Sequence, residues 1–125
     1  MFSEFRAGVY DDLHSKLSTP IWDVIPDDVA QLPCLVVGWP GGQQSTTAPV
    51  IWDLSLPVHV VGRRQQAGRS EAELLALLDD VFTALGGTRG AGDFRAIRCT
   101  PQLVTVAGQD CPGYVVTVTE ANATC

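Results

Sequence analysis

Residues 21–38 read IWDVIPDDVAQLPCLVVG: a short apolar run, the turn-forming Pro26-Asp27-Asp28, and a second apolar run, Leu35-Val36-Val37, set between Pro33 and Gly38. Proline fixes φ and offers no N–H, so Pro26 and Pro33 bracket a polar connection, and Leu35-Val36-Val37 reads as a buried strand. The stretch follows an amphipathic N-terminal segment and carries no chemistry of its own. That layout suits a small assembling scaffold better than a catalyst.

Upstream, residues 3–17 form a first helix, with Phe5, Val9, Leu13 and Leu17 spaced by four along one stripe and Glu4, Asp11, Asp12 and Lys16 away from it. Thr19-Pro20 ends it, and Ile21-Trp22-Asp23-Val24-Ile25 is a short strand lying beside a second one over residues 35–39. Residues 39–49, WPGGQQSTTAP, read as a mobile loop, because glycine and proline break both helix and ladder. Residues 50–61 then alternate: Trp52, Leu54, Leu56, Val58 and Val60 share a core face, and Ile51, Asp53, Ser55, Pro57 and His59 share a partly wet one. Pro57 deletes a ladder donor and so places this strand at a sheet edge or puts a bulge in it. An edge strand of that kind can be completed by a neighbouring subunit.

Downstream, residues 62–69 form a basic loop, and Ser70-Glu71-Ala72-Glu73 is a capping box opening a second helix. Leu74, Leu77, Leu78, Val81, Phe82 and Leu85 make its apolar stripe, and Gly86-Gly87 stops it. Residues 94–99, 103–106 and 113–119 read as strands, the last two joined through residues 107–112. The order is α-β-β-β-α-β-β-β, a single α+β domain with a mostly antiparallel sheet and both helices packed on one face. A chain of 125 residues holds one core and not two.

The formal charge of −6 is uneven: residues 1–30 and 71–93 carry −4 each, residues 31–70 carry +2, and residues 94–125 balance at zero. Such a chain does not seek nucleic acid by neutralising phosphates, since that needs a basic face. Apolar runs stay far below the roughly 18 residues of a membrane-spanning helix. The N-terminus shows no basic segment followed by an apolar core, so the chain is expected to remain where it is made.

Chemistry is sought in several patterns and found in none. The nucleophile-elbow pattern G-x-S-x-G and the phosphate-loop pattern G-x-x-x-x-G-K-[ST] do not occur, and Gly41-Gly42, Gly86-Gly87 and Gly90-Ala91-Gly92 read as turn glycines. Asp11-Asp12, Asp27-Asp28 and Asp79-Asp80 could hold a cation if they converged, but adjacent residues on a helix diverge by about 100°. His14 and His59 have no acid beside them. Cys34, Cys99 and Cys111 with His59 could in principle build a zinc site, yet no pair has close ligand spacing, so these three and Cys125 read as free thiols. No catalytic residue, cofactor or metal is expected.

Contact residues are the remaining candidates. Trp39, at the mouth of the loop, reads either as a core plug or as an interface anchor. Arg63, Arg64 and Arg69 form the main basic cluster, and with Trp39, Gln43 and Gln44 they are the candidate contacts to neighbouring subunits or adjoining rings. The two segments that carry them flank opposite ends of the 50–61 strand. Asp27, Asp28, Asp79 and Asp80 are candidates for an acidic lumen that repels phosphates. The proline strand and the long polar loops on a chain without a site predict a homo-oligomeric ring with a heterologous interface.

The order of these weak motifs resembles that of the tail terminator (tail completion) proteins of long-tailed phages, especially those of actinobacterial hosts. The likeness runs through Val9-Tyr10 and Leu13, Val24-Ile25-Pro26-Asp27-Asp28-Val29, Leu32-Pro33-Cys34-Leu35-Val36-Val37-Gly38, the strand from Trp52 and the helix ending at Gly86-Gly87. It closes on a hairpin from Val104-Thr105-Val106-Ala107-Gly108 to Tyr114-Val115-Val116-Thr117-Val118-Thr119. The resemblance implies a virion subunit, assembled in the host cytoplasm, that forms a hexameric ring at the head–tail junction. That ring caps the tail tube, ends its polymerisation and docks the head-side connector. Its partners would be copies of itself, the major tail tube protein and the connector or stopper protein, while DNA passes through the lumen without specific binding. Head-closure or stopper subunits of the neck are the nearest alternative. A small ligand-binding or enzymatic α+β domain is the alternative from another class.

Overall fold

The computed structural model describes residues 2–25, 32–44, 51–63, 69–86 and 95–123. Two helices and six strands follow in the order α1 (Phe2–Lys16), β1 (Ile21–Trp22), β2 (Cys34–Val37), β3 (Gly41–Gln44), β4 (Ile51–Val61), α2 (Arg69–Gly86), β5 (Arg95–Val106) and β6 (Gln109–Ala123). The α+β class and the two helices hold, and the expected order holds with β3 added before α2 and the first two strands expected after α2 joined into β5. The strands form one sheet in the order β1-β2-β4-β6-β5, and β3 pairs with β4 alongside β2. Only β1 with β2 is parallel.

Both helices lie on one face. The α1 stripe Phe5, Val9 and Leu13 and the α2 stripe Leu74, Leu77, Leu78, Val81 and Leu85 share one buried cluster with Leu35 and Val37 of β2, Leu54, Leu56, Val58 and Val60 of β4, and Val116 and Val118 of β6. Complete burial of each Leu or Val stabilises the fold by about 1.5–3 kcal/mol. Lys16, at the end of α1, donates from Nζ to the Ala84 carbonyl at 3.3 Å, tying the last turn of one helix to the last turn of the other. The opposite face has a smaller buried cluster of Leu32, Cys34, Val36, Val61, Val104, Val106 and Cys111.

Several boundaries differ from the sequence expectation. The first strand is only Ile21–Trp22, leaving Val24 and Ile25 exposed. Residues 94–99 and 103–106 belong to one strand, β5, which runs through Pro101, and residues 109–112 continue β6 instead of looping. The reversal is a two-residue turn in which Ala107 (φ 51°) and Gly108 (φ 77°) are both left-handed, as a type I′ hairpin requires. Counting from that turn, Pro101 occupies a non-hydrogen-bonded pair, so its missing N–H points away from β6, on the side where no strand pairs with β5 among the described residues. The second helix opens at Arg69, one residue before the Ser70 of the expected capping box, and the Ser70 side chain lies outside the described residues.

The largest correction concerns Pro57. The β4 strand is not an edge: it pairs with β6 along its whole length and with β2 and β3 on its other side. The β2 register continues to Gly38, whose N–H donates to the Pro57 carbonyl at 2.9 Å, and the β3 register begins with Gly41 opposite Ser55. Trp39 and Pro40 together therefore oppose Leu56 alone, an extra residue in the manner of a β-bulge. The reciprocal bond of the Gly38–Pro57 pair, from a Pro57 N–H to the Gly38 carbonyl, cannot form, and the ladder breaks at this point. The bulge belongs to the neighbour of the proline strand, and the segment read as a loop carries β3 (Gly41–Gln44).

Gly38 makes that approach possible. A Cβ there would lie 2.7 Å from Pro57 Cγ and 3.1 Å from the Pro57 carbonyl oxygen, whereas a Cβ at Gly41 would meet Ser55 Oγ at an ordinary 3.6 Å. Gly38→Ala is expected to lower stability by about 1–3 kcal/mol in urea unfolding. Gly41→Ala, measured beside it, should stay within about 0.5 kcal/mol of the natural chain.

Candidate functional site

The bulge aims Trp39 outward: the indole is 80% exposed. A side chain so large and so open on a sheet segment is unusual unless something holds it, and Arg6 does. From the first turns of α1, Arg6 Nε donates to the Gly38 carbonyl at 3.0 Å, Nη2 donates to the Val37 carbonyl at 3.2 Å and pairs with Asp23 Oδ1 at 2.6 Å, and the guanidinium lies 5.5 Å from the Trp39 ring centroid. One planar fork thus caps two strand-end carbonyls, pins the segment after β1 and stacks on the indole. Phe2, one turn before Arg6, sits where a Gly42 Cβ would lie 2.9 Å from its ring, so the glycine of β3 makes room for the start of α1.

These residues line an open groove of about 610 Å³, with Phe2, Arg6 and Tyr10 on one wall and Asp23, Trp39 and Pro40 on the other. Phe2, Arg6 and Tyr10 recur every four residues and so share one face of α1. Sequence reasoning named Trp39 and missed Arg6. The four-residue recurrence, one position off the core stripe, was the signal.

The other sequence-predicted contacts are not gathered here. Gln43 is exposed on β3 opposite Asp53, on the sheet face away from the helices, and the Gln44 side chain lies outside the described residues. Arg63 pairs with Glu73 of α2 (Nε to Oε1, 3.3 Å), at the opposite end of β4 from β3. Arg64 and the Arg69 side chain lie outside the described residues, as do Asp27 and Asp28. Asp79 and Asp80 are exposed side by side on α2.

The alternative zinc foursome does not converge. Cys34 and Cys111 are buried in the cluster on the helix-free face, whereas Cys99 packs against the core on the helix face. His59 Nδ1 lies 3.0 Å from Gln102 Oε1, in a bridge across β6 beside Gly113, which has no side chain to obstruct it. Among the described residues no group of three or more His, Cys, Asp and Glu side chains could hold a metal ion. Burial, reinforced by the neighbouring Cys111 thiol, pushes the Cys34 thiol up from 9.0 to about 11.

Compared with known proteins, the chain matches no family model, and no curated protein is significantly similar to it. Among the described residues no helix is long and apolar enough to cross a membrane.

Three outcomes follow, two from the Arg6 contacts and one from Cys34. Arg6→Ala leaves the partly buried Val37 and Gly38 carbonyls without their donor and should cost about 1–3 kcal/mol in urea unfolding. Asp23→Ala removes only a partner whose side chain is 71% exposed and should cost less than about 1 kcal/mol. For Cys34, the folded chain holds the thiol proton more tightly than the unfolded chain, so its contribution is intact below pH 9.0 and is lost as pH rises toward about 11. The urea midpoint should therefore fall more steeply over that interval in the natural chain than in Cys34→Ala.

Proposed function

We propose that this chain is a structural virion subunit of the tail terminator kind, forming a ring that caps the tail tube of a long-tailed phage, ends its polymerisation and joins it to the head-side connector. The observation that carries the reading is Trp39: an indole mounted on a bulge, braced by Arg6, and left in solvent at one lateral end of the sheet. Tryptophan and arginine dominate the energetics of protein interfaces, and holding them in place beforehand lowers the entropy cost of association. A rigid aromatic anchor serves an assembling subunit, and the order of sequence motifs gives the kind of assembly. On this reading Arg63 lies at a second contact region, and the exposed Asp79 and Asp80 on α2 belong to an acidic lumen wall past which DNA moves without specific binding. The ring sits at the head–tail junction of the virion after assembly in the host cytoplasm.

Native mass measurement and negative-stain imaging test this directly. The purified chain, alone or mixed with its tail tube protein, should give a closed ring of six 13.4-kDa chains and tubes capped at one end. A chain that stays monomeric at high concentration both alone and with the tube protein overturns the proposal. Stoichiometric metal, or tight duplex binding by the ring near physiological salt, would overturn the passive-conduit part of it.

A further inference from the structure

Three aromatic rings line the Trp39 groove, Phe2 and Tyr10 from α1 and the indole on the facing wall, which Pro40 extends. Phe2 and Tyr10 stand eight residues apart on the helix, about 12 Å along its axis and the length of about four residues of polyproline II. Between them the Arg6–Asp23 ion pair bridges the two walls at 2.6 Å. A docked amphipathic helix needs an unbroken apolar groove, and this charged bridge interrupts it. A docked strand needs a backbone ladder, but the Gly38 N–H is given to Pro57, the Val37 and Gly38 carbonyls accept from Arg6, and Pro40 has no N–H. The groove offers instead spaced rings and side-chain donors: among the described residues neither the Trp39 indole N–H nor the Tyr10 hydroxyl has a hydrogen-bond partner.

We propose that this groove binds a proline-rich segment of a different protein in the polyproline II conformation, its pyrrolidine rings against Trp39, Tyr10 and Phe2. Polyproline II has no internal hydrogen bonds, so its carbonyls are free to accept from Trp39 Nε1 and the Tyr10 hydroxyl, and its stiffness keeps the entropy cost of docking low. The segment comes from another protein because this chain has none to give: its two nearest prolines, Pro20 and Pro26, are six residues apart. Asp11 is exposed in the groove wall and has no ion-pair partner among the described residues, so it favours a basic residue flanking the prolines. The proposal goes beyond the ring reading and does not require it, since one chain carries the whole groove.

Fluorescence anisotropy of a labelled peptide, arginine followed by octaproline, tests the assignment on the natural chain. Saturable binding is expected with a Kd of about 1 mM or tighter. Trp39→Ala should weaken it about tenfold or more, and Tyr10→Phe, which keeps the ring and removes the donor, about threefold or more. Asp11→Asn should weaken the arginine peptide and leave octaproline without arginine unchanged. Circular dichroism and melting verify that each variant is folded. Absence of saturable binding at about 1 mM, equal binding of arginine followed by a Gly-Ser repeat, or undiminished binding by Trp39→Ala overturns the proposal. A peptide that fails to bind while Trp39→Ala abolishes self-association assigns the groove to a second copy and overturns it as well. Peptide binding by a chain that stays monomeric alone and with tube protein upholds this proposal and ends the ring reading, and a ring that binds no peptide does the reverse.

Discussion

Pro57 takes one hydrogen-bond donor out of the middle of β4, the strand that carries the sheet, and much of the rest is arranged around that gap. On the β6 side nothing is lost, because even-numbered residues of β4 bond to β6 and Pro57 faces the other way. On the far side the neighbouring strand β2 of the same chain gives its Gly38 N–H to the Pro57 carbonyl and then slips by one residue before resuming as β3. The Gly38 carbonyl, which a Pro57 N–H would meet in a continuous ladder, accepts from Arg6 Nε instead. A proline that would be costly in a continuous ladder is thereby accommodated at the centre of the sheet.

The same slip creates the candidate site. Trp39 and Pro40 are the residues left over when the register changes, and the bend turns the Trp39 indole away from the core. Such a bend would leave the Val37 and Gly38 carbonyls without partners, and losing their shared donor in these partly buried positions costs about 1–3 kcal/mol. Arg6 satisfies both and stacks on the indole with the same guanidinium. Stability and presentation are thus coupled: the arginine that completes the hydrogen bonding of the bulge also fixes the aromatic surface.

The two sheet edges are treated differently. At one end the chain builds a groove from α1, the segment after β1 and the bulge. At the other, the long β5 strand is blunted by Pro101 yet keeps Leu103 in solvent. Antiparallel edges are usually protected against strand addition, and here the protection leaves a side-chain surface available.

Periodicity by itself determined the helices, their apolar stripes and the alternation of β4, because which side of an element is apolar depends only on spacing along the chain, and the order of elements pointed to both helices on one face. It also singled out Trp39, although not its environment. Tertiary structure decided the rest. Whether Pro57 sits at an edge or at the centre depends on the register of two neighbouring strands, and Pro101 does not interrupt β5 because its nitrogen faces the open edge. Gly41–Gln44 becomes a strand because β4 offers it a ladder, against the local tendency of glycine. Arg6 reaches carbonyls 31 and 32 residues away in sequence, a contact that no local pattern encodes and that only the folded chain brings within hydrogen-bonding distance.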